Sequence, residues 1–252
     1  MRFASLGSGS RGNSLVVQHQ TTTVLVDCGF SIKEVNRRLG NLRLDIESIS
    51  AIVVTHEHTD HVSGIGGLAR KYNLPVYTTR GTCMAATWGE IPSENQVTPD
   101  QPVTIGDLQF WPFPVPHDAR QPCQYVVSDG ESRLGILTDT GSITPHIASQ
   151  LTQCDAMVLE CNHDMDLLHR SDYPEHLKQR IAGYYGHLSN QQAAELLRSV
   201  DASRLKHLAA AHLSEKNNTS LLAQQMLSEA VNCSCDWIDV IDQNEGLNWR
   251  DL

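Results

Sequence analysis

The apolar positions of this chain fall into short runs, most of them ended by a glycine or by a residue that can bind a metal or a proton. Residues 3–6 read as a short strand, Gly7-Ser-Gly-Ser-Arg-Gly-Asn-Ser14 as a glycine-rich turn, and residues 15–18 as the strand returning from it, the pattern of a hairpin. Residues 22–27 are a third strand. Residues 31–39 have helical spacing, with Ser31 as N-cap and Glu34 three residues on, a capping-box pattern. Residues 51–55 predict a buried strand, 62–71 a helix whose N-terminus points back at the preceding loop, 75–77 a strand, 80–88 a helix and 91–102 a polar, proline-bearing loop. Strands follow at 103–105, 108–115, 123–128 and 134–138, then a helix at 145–150, a strand at 157–160, helices at 174–185 and 190–200, a strand at 205–211, a helix at 221–231 and a last strand at 236–240. Two runs of strands, each followed by helices, predict an α/β fold with two sheets packed face to face and helices outside. The expected architecture is one domain over residues 1–252, a four-layered αββα sandwich with its functional residues on loops along one edge.

Composition narrows the class. A chain of 252 residues, 40% apolar and 19% charged, buries a core of ordinary size. It shows no internal repeat and no apolar run near the ~18–20 residues of a membrane helix. No secretory core opens the sequence, so the expectation is a cytoplasmic protein with no membrane partner. The seven cysteines include no C-x-x-C pair and read as reduced, mostly buried thiols. The net charge of −10 argues against a nonspecific nucleic-acid coat, which is normally basic. It leaves room for a nuclease, because an active-site cation supplies local positive charge. Arg37, Arg38 and Arg43 read as a solvated face.

The chemistry concentrates in Ala51-Ile-Val-Val-Thr-His-Glu-His-Thr-Asp-His61. A strand runs straight into His56, His58, Asp60 and His61, whose imidazole nitrogens and carboxylate oxygens are what borderline and hard divalent cations take. Further strand ends carry His117, Asp139 and His212. Each alone reads as a capped strand end. Gly7, Gly9 and Gly12 match G-x-G-x-x-G, yet a dinucleotide fingerprint needs strand, loop and helix, and here a strand follows. The turn is left as either an approach for an anion to backbone N–H groups or a turn with no ligand.

The H-x-H-x-D-H segment, with His117, Asp139 and His212 following in order, resembles the metallo-β-lactamase superfamily over essentially the whole chain. That resemblance implies two divalent metal ions. His56, His58 and His117 would hold the first, Asp60, His61 and His212 the second, and Asp139 would bridge them. Zinc is the foremost candidate, with manganese and iron compatible. The second histidine of H-x-H is unlike the carboxylate of the oxygen-reducing di-iron branch.

Ser8-Gly-Ser-Arg-Gly-Asn-Ser14, His117-Asp118-Ala, Leu159-Glu-Cys-Asn-His-Asp164, Gly186-His-Leu-Ser-Asn190 and Ala211-His-Leu-Ser-Glu-Lys-Asn-Asn218 resemble the YycJ/WalJ-like branch of exonucleases and phosphodiesterases. They are also similar to the transfer-RNA 3′-end processing endonucleases, although the long substrate-binding arm of those enzymes has no counterpart here. The resemblance implies catalytic roles for Asp60, Glu160 and His187. His187 would donate a proton to the leaving oxygen or contact the phosphate, oriented by Glu160; a helix-capping role for this segment is the alternative. His163 would be a direct or a supporting residue. The expected function is a dinuclear metal hydrolase of phosphodiesters, a nuclease with 5′-to-3′ DNA exonuclease activity favoured. Its substrate would be nucleic acid, DNA over RNA, or a small phosphodiester. The alternatives are a metallo-hydrolase of a small ester, thioester, lactone or cyclic phosphodiester, and a metal-binding protein without turnover, which the full ligand set disfavours.

Overall fold

The glycine-rich segment is a hairpin turn: β1 (Arg2–Gly7) and β2 (Ser14–His19) pair antiparallel from Arg2 opposite Gln18 to Gly7 opposite Ser14. The structure is a computed structural model that describes residues 1–252. The chain forms two compact units, one of Met1–Pro114, Ala119–Ser132 and Asp242–Leu252, the other of Val115–Asp118 and Arg133–Ile241. Its strands form two mixed sheets with helices flanking them, which realises the α/β class expected from the pattern.

In the first unit β3 (Thr22–Val26) continues antiparallel from β2. β4 (Ala51–Val53), β5 (Pro75–Thr78) and β6 (Ser93–Gln96) are then added in parallel. Strands covered on both faces need near-continuous apolar sequence, and Val24, Leu25, Ala51, Ile52 and Val53 are all fully buried. Between them, α1 (Ile32–Asn41) contributes Val35 and Leu39 to the same core. The strand predicted over 51–55 ends at Val53, because the Thr55 N–H leaves the ladder to donate to the Asp27 carboxylate at 2.8 Å.

The single helix predicted over 62–71 is two, α2 (Thr59–Val62) and α3 (Ile65–Tyr72). The break falls at Gly64, where an added Cβ would lie 1.9 Å from the Phe30 carbonyl oxygen. The first turn therefore begins inside the histidine-rich motif. α4 (Arg80–Ala85) is shorter than predicted. β6 lies in a stretch expected to be loop; its Ser-Glu-Asn-Gln sequence is mostly exposed and carries no apolar alternation to mark it. β7 (Val103–Ile105), β8 (Leu108–Pro114) and β9 (Cys123–Ser128) form an antiparallel run.

Two local expectations fail for one electrostatic reason. Ser31 caps α1 by accepting from the Glu34 N–H, but the Glu34 carboxylate does not close the capping box. It is drawn instead to Arg37 at 2.7 Å and Arg38 at 2.6 Å. Nor is Arg38 part of a solvated face. It is buried, donates to the carbonyls of Leu6 and Gln243, and lies 4.2 Å over the Phe30 ring.

In the second unit β10 (Arg133–Leu137), β11 (Ala156–Glu160), β12 (His207–Ala211) and β13 (Asp239–Val240) are parallel neighbours in that order. Parallel strands need crossover connections, supplied by α5 (Pro145–Leu151), α6 (Met165–Arg170), α7 (Glu175–Ile181), α8 (Asn190–Ser199) and α9 (Ser220–Val231). α6 was not predicted; its six residues are held by Asp164, whose side chain accepts from the Leu167 N–H. α7 stops at Ile181, short of the expected 185. The chain turns there onto Gly186, where a Cβ would meet the carbonyl oxygens of Arg180 and Ile181 at 2.2 Å. The capping box that is complete is at α8, between Ser189 and Gln192. β14 (Leu247–Asp251), also unpredicted, pairs antiparallel with β1 in the first unit. All seven cysteines are free thiols, and Cys28, Cys123, Cys154 and Cys161 are buried. No helix is long and apolar enough to cross a membrane.

Candidate metal and catalytic residues

In the first unit the residue that organises the histidine-rich motif is Asp27, at the end of β3. Its carboxylate is buried and accepts three hydrogen bonds: from the Thr55 N–H at 2.8 Å, the Thr55 hydroxyl at 2.7 Å and His61 Nδ1 at 2.7 Å. Burying a carboxylate is costly unless it is paired and hydrogen-bonded, and these partners satisfy it. With Nδ1 of His61 committed, its Nε2 is presented 3.5 Å from the Asp60 carboxylate. The Nδ1 of His56 lies 3.0 Å from the Thr55 hydroxyl. The His56 ring centroid is 4.6 Å from that of His58 and 4.2 Å from that of His61.

Glu57, between the two histidines, turns the other way. Its carboxylate accepts from the Arg120 N–H at 2.7 Å and the Thr82 hydroxyl at 3.3 Å. The glycine-rich turn has a definite task here: it holds Asn13. The side-chain oxygen of Asn13 accepts from Ser8 and from the Gly9 N–H, and its amide nitrogen lies 3.1 Å from both Asp60 Oδ2 and His61 Nε2. A set of three imidazoles and one carboxylate, with ring nitrogens oriented by buried partners, is the donor chemistry a divalent cation requires.

In the second unit the parallel register carries three strand ends to one edge. Leu137 is opposite Leu159 and Glu160 opposite Ala211, so Asp139, Glu160 and His212 emerge together. Asp139 and His212 each adopt a left-handed backbone, with φ of 54° at both. This conformation is uncommon outside glycine and turns the side chain across the strand end. Asp27 in the other unit has the same conformation, at 62°. One ligand atom each from Asp139, Glu160, His187 and His212 falls within 4.8 Å of the others.

Glu160 is fully buried and binds His187 Nδ1 at 2.7 Å and His212 Nδ1 at 3.2 Å. It also accepts N–H groups of Thr140 and Leu188 at 2.9 and 3.2 Å. Burial by itself would raise its carboxyl, but the His187 and His212 imidazoles outweigh it and hold the group down at about 2. His187 shows the reciprocal effect: burial would lower it, yet the Glu160 and Asp139 carboxylates raise it above the usual imidazole value. His117 donates from Nδ1 to the Gly186 carbonyl at 3.0 Å, and its ring centroid is 5.4 Å from that of His187. His163 is fully buried, its ring nitrogens have no hydrogen-bond partner, and burial lowers it to about 4. It is therefore neutral at pH 7 and stands outside the four-residue cluster.

Within the first unit His56, His58, Asp60 and His61 lie close together, and within the second His117, Asp139, Glu160, His187 and His212. Asp27 and Asn13 were missed. Asp27 offered one signal, because Asp27-Cys-Gly repeats the strand-end Asp-x-Gly of Asp139-Thr-Gly141. Asn13 offered none, since only the folded hairpin brings it to the motif.

Comparison with known proteins shows the family and the fold. Residues 22–208 match the family model described as a beta-lactamase superfamily domain. The chain is 37% identical over 235 residues to exodeoxyribonuclease YycJ of Bacillus anthracis, covering 92% of this chain and 89% of that protein. It is 34% identical over 232 residues to exodeoxyribonuclease WalJ of Streptococcus pneumoniae, covering 90% and 86% respectively. Among solved structures, the metallo-beta-lactamase fold protein YhfI from Bacillus subtilis superposes with a TM-score of 0.75 at 16% identity, over 99% of each chain.

Proposed function

Because the chain belongs to the beta-lactamase superfamily, we propose that it is a metal-dependent hydrolase of phosphodiester bonds that acts as a DNA exonuclease, in a single functional domain. The observation that carries this reading is the pair of buried Glu160 with half-buried His187 at 2.7 Å, next to the ligand-capable atoms of Asp139 and His212. The full-length similarity to two exodeoxyribonucleases supports it.

In this proposal His56, His58, Asp60 and His61 of the first unit and His117, Asp139 and His212 of the second would be the ligands of a pair of divalent cations. The donor set of imidazole nitrogens and carboxylate oxygens suits zinc first, then manganese or iron. When bound, such a pair polarises the phosphoryl oxygens and makes a water nucleophilic at neutral pH. The protein's own residues do the rest. Asp27 and Thr55 keep the His61 and His56 rings fixed. Glu160 accepts from Nδ1–H of His187 and, with Asp139, favours its imidazolium form, whose Nε2 proton would pass to the departing oxygen as the P–O bond breaks. The seven free thiols fit a reducing compartment, the cytoplasm. A second reading, a small phosphodiester as substrate, draws support from the net charge of −10, which repels a long polyanion.

The test is incubation with end-labelled single- and double-stranded DNA and RNA under zinc, manganese and magnesium, beside a thioester and a lactone. Progressive shortening of DNA, lost in Asp60→Ala and His61→Ala proteins that remain folded by circular dichroism, is expected. Turnover of the thioester or lactone with no cleavage of any phosphodiester overturns the proposal.

A further inference from the structure

Just before His187 the chain runs Gly183-Tyr-Tyr-Gly186, and Tyr184 and Tyr185 are each 59% exposed. Large aromatics normally bury most of their surface. The other large aromatics are buried or half-buried, apart from Trp237 at 36% exposed, so the two tyrosines stand out. Floppiness does not account for this exposure, because the backbone beneath them is pinned. The Tyr185 carbonyl accepts from the Asp118 N–H at 3.0 Å and the Gly186 carbonyl from His117 Nδ1 at 3.0 Å. The Gly186 N–H donates to Gly183 and the His187 N–H to Ile181. On the other side, Gly141 packs so tightly that an added Cβ would sit 2.4 Å from the Tyr184 carbonyl oxygen and 2.3 Å from the Gly186 nitrogen. The rings themselves meet edge to face with centroids 5.0 Å apart. Two rigidly mounted, solvent-facing aromatics are a stacking platform.

Beside them lies a cavity of about 150 Å³ lined by Asp118, Leu177, Arg180, Ile181, Gly186 and His187. Arg180 is 66% exposed and is held at the rim by Asp118, Nε at 2.8 Å and a terminal nitrogen at 2.7 Å. A guanidinium has five N–H donors, so this pairing leaves donors and a planar face for a ligand. Its lining combines apolar side chains (Leu177, Ile181), the cationic Arg180 and His187, the residue assigned above to the departing oxygen.

We propose that Tyr184, Tyr185 and the Arg180 cavity form a subsite for the unpaired bases at the end of a single nucleic-acid strand. It rests on the phosphodiesterase reading and specifies it. An acidic chain, with 29 Asp and Glu against 19 Lys and Arg, gains little from general attraction to phosphates. Stacking of bases on aromatic side chains supplies affinity without net charge and without sequence preference. The same platform gives a reason for acting at ends, because paired bases inside a duplex have no free face to offer it.

The test compares wild type with the double variant Tyr184→Ala/Tyr185→Ala and with Tyr184→Phe/Tyr185→Phe. Binding is read on the metal-loaded protein by fluorescence anisotropy of a labelled single-stranded oligodeoxynucleotide with turnover-resistant phosphorothioate linkages; an oligomer of the same linkages with abasic residues at its end serves as control. The alanine pair should weaken binding to the natural end by about tenfold or more, at ~1–3 kcal/mol per stacked base. The phenylalanine pair should restore it, and the abasic end should bind all variants equally weakly. In turnover, the ratio of kcat/KM on the oligonucleotide to that on bis-p-nitrophenyl phosphate should fall with the alanine pair. Unchanged binding, loss that phenylalanine does not rescue, or a change of oligomeric state in the alanine pair (which would make the platform a subunit contact) overturns the subsite. Failure of wild type to cleave any phosphodiester refutes the reading beneath it instead, and the anisotropy measurement still decides whether bases are bound.

Discussion

Asp27 and His61, 34 residues apart in sequence, meet in the first unit at 2.7 Å, carboxylate to Nδ1, with both side chains buried. The pairing fixes which imidazole nitrogen is left to bind a cation and makes that nitrogen more basic. Asp27→Asn should therefore lower metal affinity by ~10–100-fold, measured by competition with a chromophoric chelator, with circular dichroism unchanged. Wild-type affinity in Asp27→Asn would show that Thr55 and packing alone orient the ring.

If His187 protonates the departing oxygen, its importance depends on the leaving group. p-Nitrophenolate leaves without a proton, whereas the 3′-oxygen of a nucleotide does not. His187→Asn should lower kcat on DNA by about 10²–10⁴-fold and lower kcat on a p-nitrophenyl phosphodiester much less. Equal losses on both substrates would assign His187 to phosphate contact or structure.

Metal removal should cost stability as well as activity. A cation bound by the native protein and not by the unfolded chain stabilises by ~2.7 kcal/mol at a hundredfold excess over Kd. For a chain of this size that corresponds to a fall of roughly 5–10 °C in Tm on chelation. Calorimetry with and without chelator, followed by re-addition of zinc, reads it; an unchanged Tm would count against resident metals.

The Glu34 salt bridges should give the fold a defined acid sensitivity. Hydrogen bonds from Arg37 and then Arg38 hold the Glu34 carboxyl down, from 4.5 to about 2. A depressed carboxyl stabilises the fold above its unfolded value and loses that contribution as pH falls toward the folded value. Glu34→Gln should be less stable than wild type at pH 7, by about 1 kcal/mol or less for a carboxylate so open to solvent. The two Tm curves should converge between about pH 4.5 and 2. Parallel curves across that range would mean the carboxylate adds nothing.

The candidate residues were legible because the chain writes them as local patterns at strand ends: His56 to His61 in one run, then His117, Asp139, Glu160 and His212, each closing or just following an apolar run. In the second unit, strand register carries Asp139, Glu160 and His212 to one edge without further information. The elements that escaped notice were those whose identity is not local. β6 is an exposed polar edge, β14 exists only because β1 offers it a partner, and α6 is too short to show a period.

From the sequence alone came the α/β class, the order of the elements and the ligand candidates, since apolar periodicity and strand-end chemistry are properties of neighbouring residues. Tertiary structure alone decided which ring nitrogen of His61 faces Asp27, that Asn13 is held by Ser8 and Gly9 of the glycine-rich turn, that Glu160 is ionised beside a raised His187, and that two tyrosines stand on a hydrogen-bonded segment facing solvent. Each of those depends on a hydrogen bond or burial between residues far apart in the chain, and no local pattern specifies that.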